Sequence, residues 1–270
     1  MTNNQPSKAI YLFCISLTKE LPEVQGVGFD DGSPLFALQY NSLTAIVSEV
    51  PLTDFIGAEA EELMKDLNWI APRALQHEAV IEEQLRQAPV LPARFGTLFS
   101  TASGVTDFLQ TQHGTIFEFL HHINNKQEFS VKGSINRVAA RQRLLDQKLA
   151  EQDEQLGAIS PGLRYFQEQK IKAAVEQELN QWIQEICVQI AQELSQSAVD
   201  FRARKVTNSD DELEAILNWA FLIPQESRED FRLRVDSINS KYAEKGFVFT
   251  MSGAWPPYSF SPNLAKEQSA

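Results

Sequence analysis

The stretch Pro89–Phe99, PVLPARFGTLF, constrains this chain more than any other. Its two prolines fix φ and cannot donate backbone hydrogen bonds, and residues ahead of a proline lean towards extended geometry. Proline within a sheet is confined to edges and strand ends, so the stretch reads as a short edge strand. Arg94, Phe95 and Gly96 follow the second proline, Pro92, and lead into Thr97, Leu98 and Phe99. A cation buried among apolar residues needs a carboxylate or backbone carbonyls for its five donors. Two readings follow: Arg94 sits in a structural salt bridge, or the stretch is a docking surface for a partner. A PxxP ligand for an SH3-type groove fits the letters but not the apolar neighbours.

Ahead of this stretch, Ala9–Ser16 is a near-continuous β-prone apolar run, the pattern of a central strand. Leu21–Gly28 is turn-rich, and Asp31-Gly32 marks a turn. Leu35–Tyr40 and Leu43–Val50 form a hairpin around Asn41-Ser42. Helices are predicted over Thr53–Leu67, over Trp69–Ala88 and over Ala102–His122. In the second, Ile70, Ala74, Ile81 and Leu85 keep helical spacing, and His77 falls on the same stripe beside Glu78. A lone histidine on an apolar face is a hydrogen-bonded core residue by default, and no Cys or second His stands at metal-ligand spacing. His121 and His122 are adjacent, so they point in different directions and read as a solvated helix end.

Asn124-Asn125-Lys126 marks a domain boundary, after which the pattern is β-α-β-β-α-β. Glu128–Arg137 alternates as a strand. Val138–Ser160 is polar and helical, Pro161-Gly162 interrupts it, and a long helix runs on to Gln196. Strands at Ser197–Val206 and Ala215–Ile223 flank a turn at Asn208–Asp211. Ser227 is placed to cap a last helix that Gly246 ends, and Gly246–Ser252 closes the sheet. The predicted fold is α+β with two domains: residues 1–124, a ferredoxin-like (βαββαβ) domain with a long helix over 125–253, and an aromatic/proline tail over 254–270. That scaffold hosts many unrelated functions. The tail carries Trp255, Pro256, Pro257, Tyr258 and Phe260. Aromatics of this size are uncomfortable in water, so the tail either folds back over its own protein or hooks a partner.

Charge and chemistry narrow the function. Net charge is −12; residues 1–124 hold 6 Lys+Arg against 15 Asp+Glu, a balance of −9. This makes the chain a poor candidate for a general nucleic-acid binder and for a protein that docks on anionic lipid. The Lys132, Arg137, Arg141, Arg143 cluster lacks interleaved aromatics and has glutamates nearby, so it reads as a solvated face. No apolar run is long enough to span a bilayer and the N-terminus has no signal-peptide pattern. Two isolated cysteines, Cys14 and Cys187, point to a reducing compartment, hence a cytoplasmic protein. No nucleophile elbow, phosphate loop, zinc motif or carboxylate pair is present, so no catalytic residue and no cofactor is assigned.

His77-Glu78 leading into Pro89-Val90-Leu91-Pro92-Ala93-Arg94-Phe95-Gly96-Thr97 resembles a signature of the gas vesicle GvpF/GvpL family. Trp255-Pro256-Pro257-Tyr258-Ser259-Phe260, directly after the last strand, is similar to that family's C-terminal signature, with Ala254 where the family commonly has proline. The two motifs stand in the family's order and span nearly the whole chain. The resemblance implies a non-enzymatic accessory protein of gas vesicles with two α+β domains, the second ferredoxin-like. Its implied partners are the hydrophobic shell subunit (GvpA-like) and other gas vesicle accessory proteins. His77, Glu78, Pro92, Arg94, Phe95, Gly96, Trp255, Pro256, Pro257, Tyr258 and Phe260 are the interface candidates, with Arg94 coupled to a tail packed on the first domain. The rival expectation is a small-ligand or catalytic site centred on His77, Glu78 and Arg94.

Overall fold

Strand β1 (Lys8–Leu17) is buried at eight consecutive positions from Ala9 to Ser16, because sheet neighbours and side chains cover both its faces. The computed structural model describes residues 8–18, 24–29, 33–152, 160–207 and 213–264. β2 (Phe36–Tyr40) and β3 (Leu43–Pro51) form the expected hairpin, with Asn41 at φ 53°, a left-handed turn conformation that asparagine tolerates. β3 pairs antiparallel along the whole of β1.

After a 3-10 turn at Leu52–Asp54 come the short helix α1 (Ala58–Leu63) and the long α2 (Leu67–Leu85). Gly57, at φ 105°, separates the turn from α1, so the single helix expected over Thr53–Leu67 is two pieces. α2 is capped by the Asp66 carboxylate, which accepts from Asn68 N–H at 2.9 Å. The proline-bracketed stretch supplies two short strands, β4 (Val90–Pro92) and β5 (Leu98–Phe99), and both pair with β1 on the side away from β3. The first sheet therefore runs β2-β3-β1-β4, with β5 also on β1. The helix expected over Ala102–His122 is α3 (Ala102–Thr111) and α4 (His113–Ile123), broken where Gln112 leaves helical geometry at ψ 8°.

The second sheet contains β6 (Lys126–Ile135), which is followed by helices α5 (Arg137–Glu151) and α6 (Pro161–Ser195). Next come β7 (Asp200–Ala203), β8 (Glu214–Pro224), α7 (Arg228–Tyr242) and β9 (Phe247–Trp255). Its order is β7-β8-β6-β9. Phe129, Val131 and Ile135 of β6 join Leu217, Trp219, Phe221 and Ile223 of β8 in one core. Leu179, Ile186 and Ile190 of α6 and Phe231, Val235 and Ile238 of α7 complete it. The helical stripe spacing and the alternation in the strands place these residues there. Leu144, Leu145 and Leu149 of α5 pack on Ile171 and Val175 of α6 as a separate small cluster.

Gly246 adopts the expected left-handed conformation, at φ 88°. Ser227 makes no side-chain capping bond, contrary to expectation, since its backbone is already helical at φ −91°, ψ −1°. The turns expected at Asp31-Gly32 and Asn208–Asp211, and part of the helix expected up to Ser160, lie outside the described residues. Among the described residues the protein is thus α+β, with two antiparallel sheets and seven α-helices. Its contacts divide it into two units, 1–126 with 256–270, and 127–255. β9 runs through Trp255, so that residue ends the last strand and the tail begins at Pro256.

Candidate functional site

The first unit brings most of the motif residues around one buried hydroxyl. Tyr11 sits at the middle of β1 with 0% exposure, and His77, on the inward stripe of α2, is 1% exposed. The Tyr11 hydroxyl lies 3.0 Å from His77 Nδ1, and Gly96 N–H donates to it at 3.0 Å. His77 Nε2 lies 3.1 Å from the Ala93 carbonyl. A carbonyl can only accept, so Nε2 carries the proton, Nδ1 accepts, and Tyr11 donates to Nδ1. The chain of bonds is closed: every polar atom of both side chains has its partner. Burial lowers the His77 pKa from 6.5 to about 4, against the opposing pull of the Ala93 carbonyl, and burial pushes the Tyr11 phenol up.

Rings pack this pair on all sides. Phe13, Phe29, Phe55 and Phe95 have centroids 4.9, 4.7, 5.4 and 6.1 Å from that of Tyr11, within the range of favourable aromatic contacts. Above them the backbone makes a tight turn. The Arg94 carbonyl accepts from Thr97 N–H at 3.1 Å and from Thr97 Oγ1 at 2.6 Å. Gly96 takes φ 83°, with nothing within 4 Å of where a Cβ would stand. Backbone conformation, not space, requires glycine there.

The turn leaves Arg94 exposed. Among the described residues Arg94 makes no ion pair, so the expected structural salt bridge is absent. Turned out to water, a guanidinium needs no buried carboxylate. Pro92 is buried opposite Cys14 in the β1–β4 ladder, and burial pushes the Cys14 thiol far up, which leaves it unreactive. Glu78 is half-buried beside His77, and its carboxylate accepts from the Tyr258 hydroxyl at 2.8 Å. Burial raises the Glu78 pKa, the Tyr258 bond opposes that, and the charge of Glu82 adds to it. Pro256, Pro257 and Phe260 are buried with the first unit. Tyr258 thus ties the tail to α2 at Glu78, the residue next to His77. Trp255 stands apart in the second unit, 44% exposed, its Nε1 donating to Ser252 Oγ at 3.2 Å.

Tyr11, Phe13, Phe29 and Phe55 belong to the site as much as the motif residues do. The signal for Tyr11 and Phe13 was the aromatic content of an apolar run, which a plain core also explains, and Phe29 and Phe55 stood in turn-rich and helical stretches with no such signal. Among the described residues no three His, Cys, Asp or Glu side chains gather as metal ligands. The three arginines of the basic cluster are consumed internally: Arg137 pairs with Glu176 at 2.5 Å and Glu214 at 3.4 Å, Arg141 pairs with Glu176 at 3.2 Å, and Arg143 donates to the Glu244 carbonyl. No described helix is long and apolar enough to cross a membrane.

The first unit thus holds a saturated histidine beneath an arginine-bearing turn, within an α+β protein of two antiparallel sheets. Comparison with known proteins gives that class a family. The model for "Gas vesicle synthesis protein GvpL/GvpF" matches residues 9–262, and the chain belongs to this family. It is 27% identical to gas vesicle protein L of Streptomyces sp. (strain CB03234), over 92% of this chain and 89% of that one. It is 25% identical to gas vesicle protein F of the same strain, over 94% and 99%. The crystal structure of GvpF from Anabaena sp. PCC7120 superposes with a TM-score of 0.72 at 23% identity, covering 95% of this chain and 99% of that one. GvpF from Microcystis aeruginosa superposes with a TM-score of 0.66 at 18% identity, over 94% and 99%. These two share the fold.

Proposed function

We propose that this chain is a non-enzymatic, cytoplasmic accessory protein of gas vesicle assembly. It binds the hydrophobic shell subunit, a GvpA-like protein, together with other gas vesicle proteins. It keeps that subunit soluble and presents it to the growing shell, or stays as a minor shell component. The observation that carries this reading is the closed Gly96–Tyr11–His77–Ala93 chain of hydrogen bonds. It uses the motif residues to fix a turn, and leaves their one free charge, Arg94, at the surface. The acidic first unit favours solubility of a complex with an apolar partner. In the second unit, the element order and the sheet order β7-β8-β6-β9 support a ferredoxin-like reading. A ligand or catalytic centre on His77, Glu78 and Arg94 is disfavoured because neither ring nitrogen of His77 is available and its proton affinity is too low for a base at neutral pH.

The test is a pull-down from a vesicle-forming host, with this chain as bait and Arg94→Glu beside it. Capture of the shell subunit, weakened several-fold by the charge reversal, is the expected result. Equal amounts of shell subunit on bait and empty resin would overturn the proposal.

A further inference from the structure

α2 buries one face and, among the described residues, leaves the other exposed. His77, Val80 and Ile81 point inward. On the opposite side Leu67, Ala71, Leu75 and Ala79 recur every fourth residue, all exposed, with Leu67 at 76% and Leu75 at 72%. Spacing of four places these side chains in one row along the helix. Pro72, also exposed, has no N–H to give to the Asn68 carbonyl. Glu82 continues the row. The Tyr258–Glu78 bond places the tail on the same helix.

The charge around the row is one-sided. Lys65 is neutralised by Glu62 at 2.7 Å and Arg86 by Glu83. The Arg73 guanidinium lies 4.3 Å over the Trp69 ring and 3.9 Å from Asp54. Glu82, and Glu59 and Glu61 of α1, make no ion pair among the described residues. The surface is thus an apolar row with acid unpaired among the described residues at its end and in the helix before it. A second copy fits it poorly, since each brings an acidic first half with a balance of −9. An anionic lipid surface is repelled for the same reason.

We propose that the Leu67–Ala79 row of α2 is the docking site for an amphipathic helix of another gas vesicle protein, one that carries an apolar stripe flanked by lysine or arginine. The apolar stripe covers Leu67 and Leu75, and the cations meet Glu82, as in other recognition of an amphipathic helix by its apolar face. This rests on the assembly reading above and assigns it a surface.

The test uses the full chain and Leu67→Asp/Leu75→Asp, whose sites are exposed enough to leave the melting temperature unchanged. Two labelled synthetic amphipathic helices serve as probes, one with leucine and lysine faces, the other with leucine and glutamate faces. The expected result is that the lysine peptide binds wild type about tenfold or more tightly than either the glutamate peptide to wild type or the lysine peptide to the variant, with binding weakened by salt. In the vesicle-forming host, the variant should also capture less gas vesicle protein. Equal binding of the lysine peptide to variant and wild type overturns the proposal, as does indifference to peptide charge. Association of wild type with itself or with anionic vesicles through this row overturns it too. A variant that captures gas vesicle proteins undiminished sinks the docking site and spares the assembly reading; wild type that captures none sinks that reading itself.

Discussion

His77 gives the first unit a pH dependence of definite sign. Its native pKa of about 4 lies below the ordinary 6.5. Above pH about 6.5 the imidazole is neutral in both folded and unfolded chains, and its contribution to stability is complete. As pH falls, the unfolded chain takes up a proton that the native site refuses, and about 3 kcal/mol is lost by the time the pH reaches the native pKa. Urea unfolding from pH 7 to pH 4.5 should therefore show a steep loss in wild type and a shallower one in His77→Gln, which no longer titrates. A native imidazole that titrates near 6.5 by NMR would contradict this. The position of His77 was legible, because the apolar stripe of α2 fixes its face. Its partners were not: Tyr11 is 66 residues away and Gly96 lies 85 residues from Tyr11. A tyrosine inside an apolar run looks like core until the fold brings a donor and an acceptor to its hydroxyl. Arg94 misled for the opposite reason, since its apolar neighbours suggested burial while the Gly96 turn carries it out to solvent.

At the scale of elements, the second sheet ends on a long strand, and α7 guards it. β9 is the outer strand beside β6. The Asn239 side chain of α7 donates to the Phe249 carbonyl at 2.5 Å and accepts from the Phe249 N–H at 2.7 Å. One amide thus occupies both edge-facing groups of that residue, as a neighbouring strand would. Unpaired edges invite pairing with other chains, so Asn239→Leu should expose both groups and cost about 2 kcal/mol. It should also produce concentration-dependent association in sedimentation and faster amide exchange at Phe249. A variant as monodisperse and as protected as wild type would rule the guard out. Nothing in the sequence singled out Asn239, because its role depends on where β9 lies in the sheet. The strands themselves were legible from alternation and β-branched runs, as was the αL glycine at 246. The breaks at Gly57 and Gln112 were not. Apolar periodicity runs straight through Gln112, and only the backbone angles show that α3 and α4 are separate.

Across the whole molecule, the chain returns to its first unit after completing its second, and residues from opposite ends share one core. Tyr258 packs against the cluster that holds Tyr11, Phe13 and Ile81, and its hydroxyl meets Glu78 180 residues earlier. Burial pushes the Tyr258 phenol up, with Glu78 reinforcing the shift, so the phenol keeps its proton and donates it to the Glu78 carboxylate. Such a charge-assisted bond outweighs a neutral one, and burying two aromatic side chains adds roughly 1.5–3 kcal/mol each. Ending the chain at Trp255 removes both contributions while leaving β9 intact. The first unit should lose at least about 4 kcal/mol and melt roughly 15 °C lower. Amide protection should fall along β1 and α2 but not along β8, whose core the tail does not enter. Tyr258→Phe alone should reproduce about 1–2 kcal/mol of the loss, the share of its hydrogen bond to a charged group. If the truncated chain melts where the full one does, the tail is a passenger on the first unit and its aromatics are free for a partner instead.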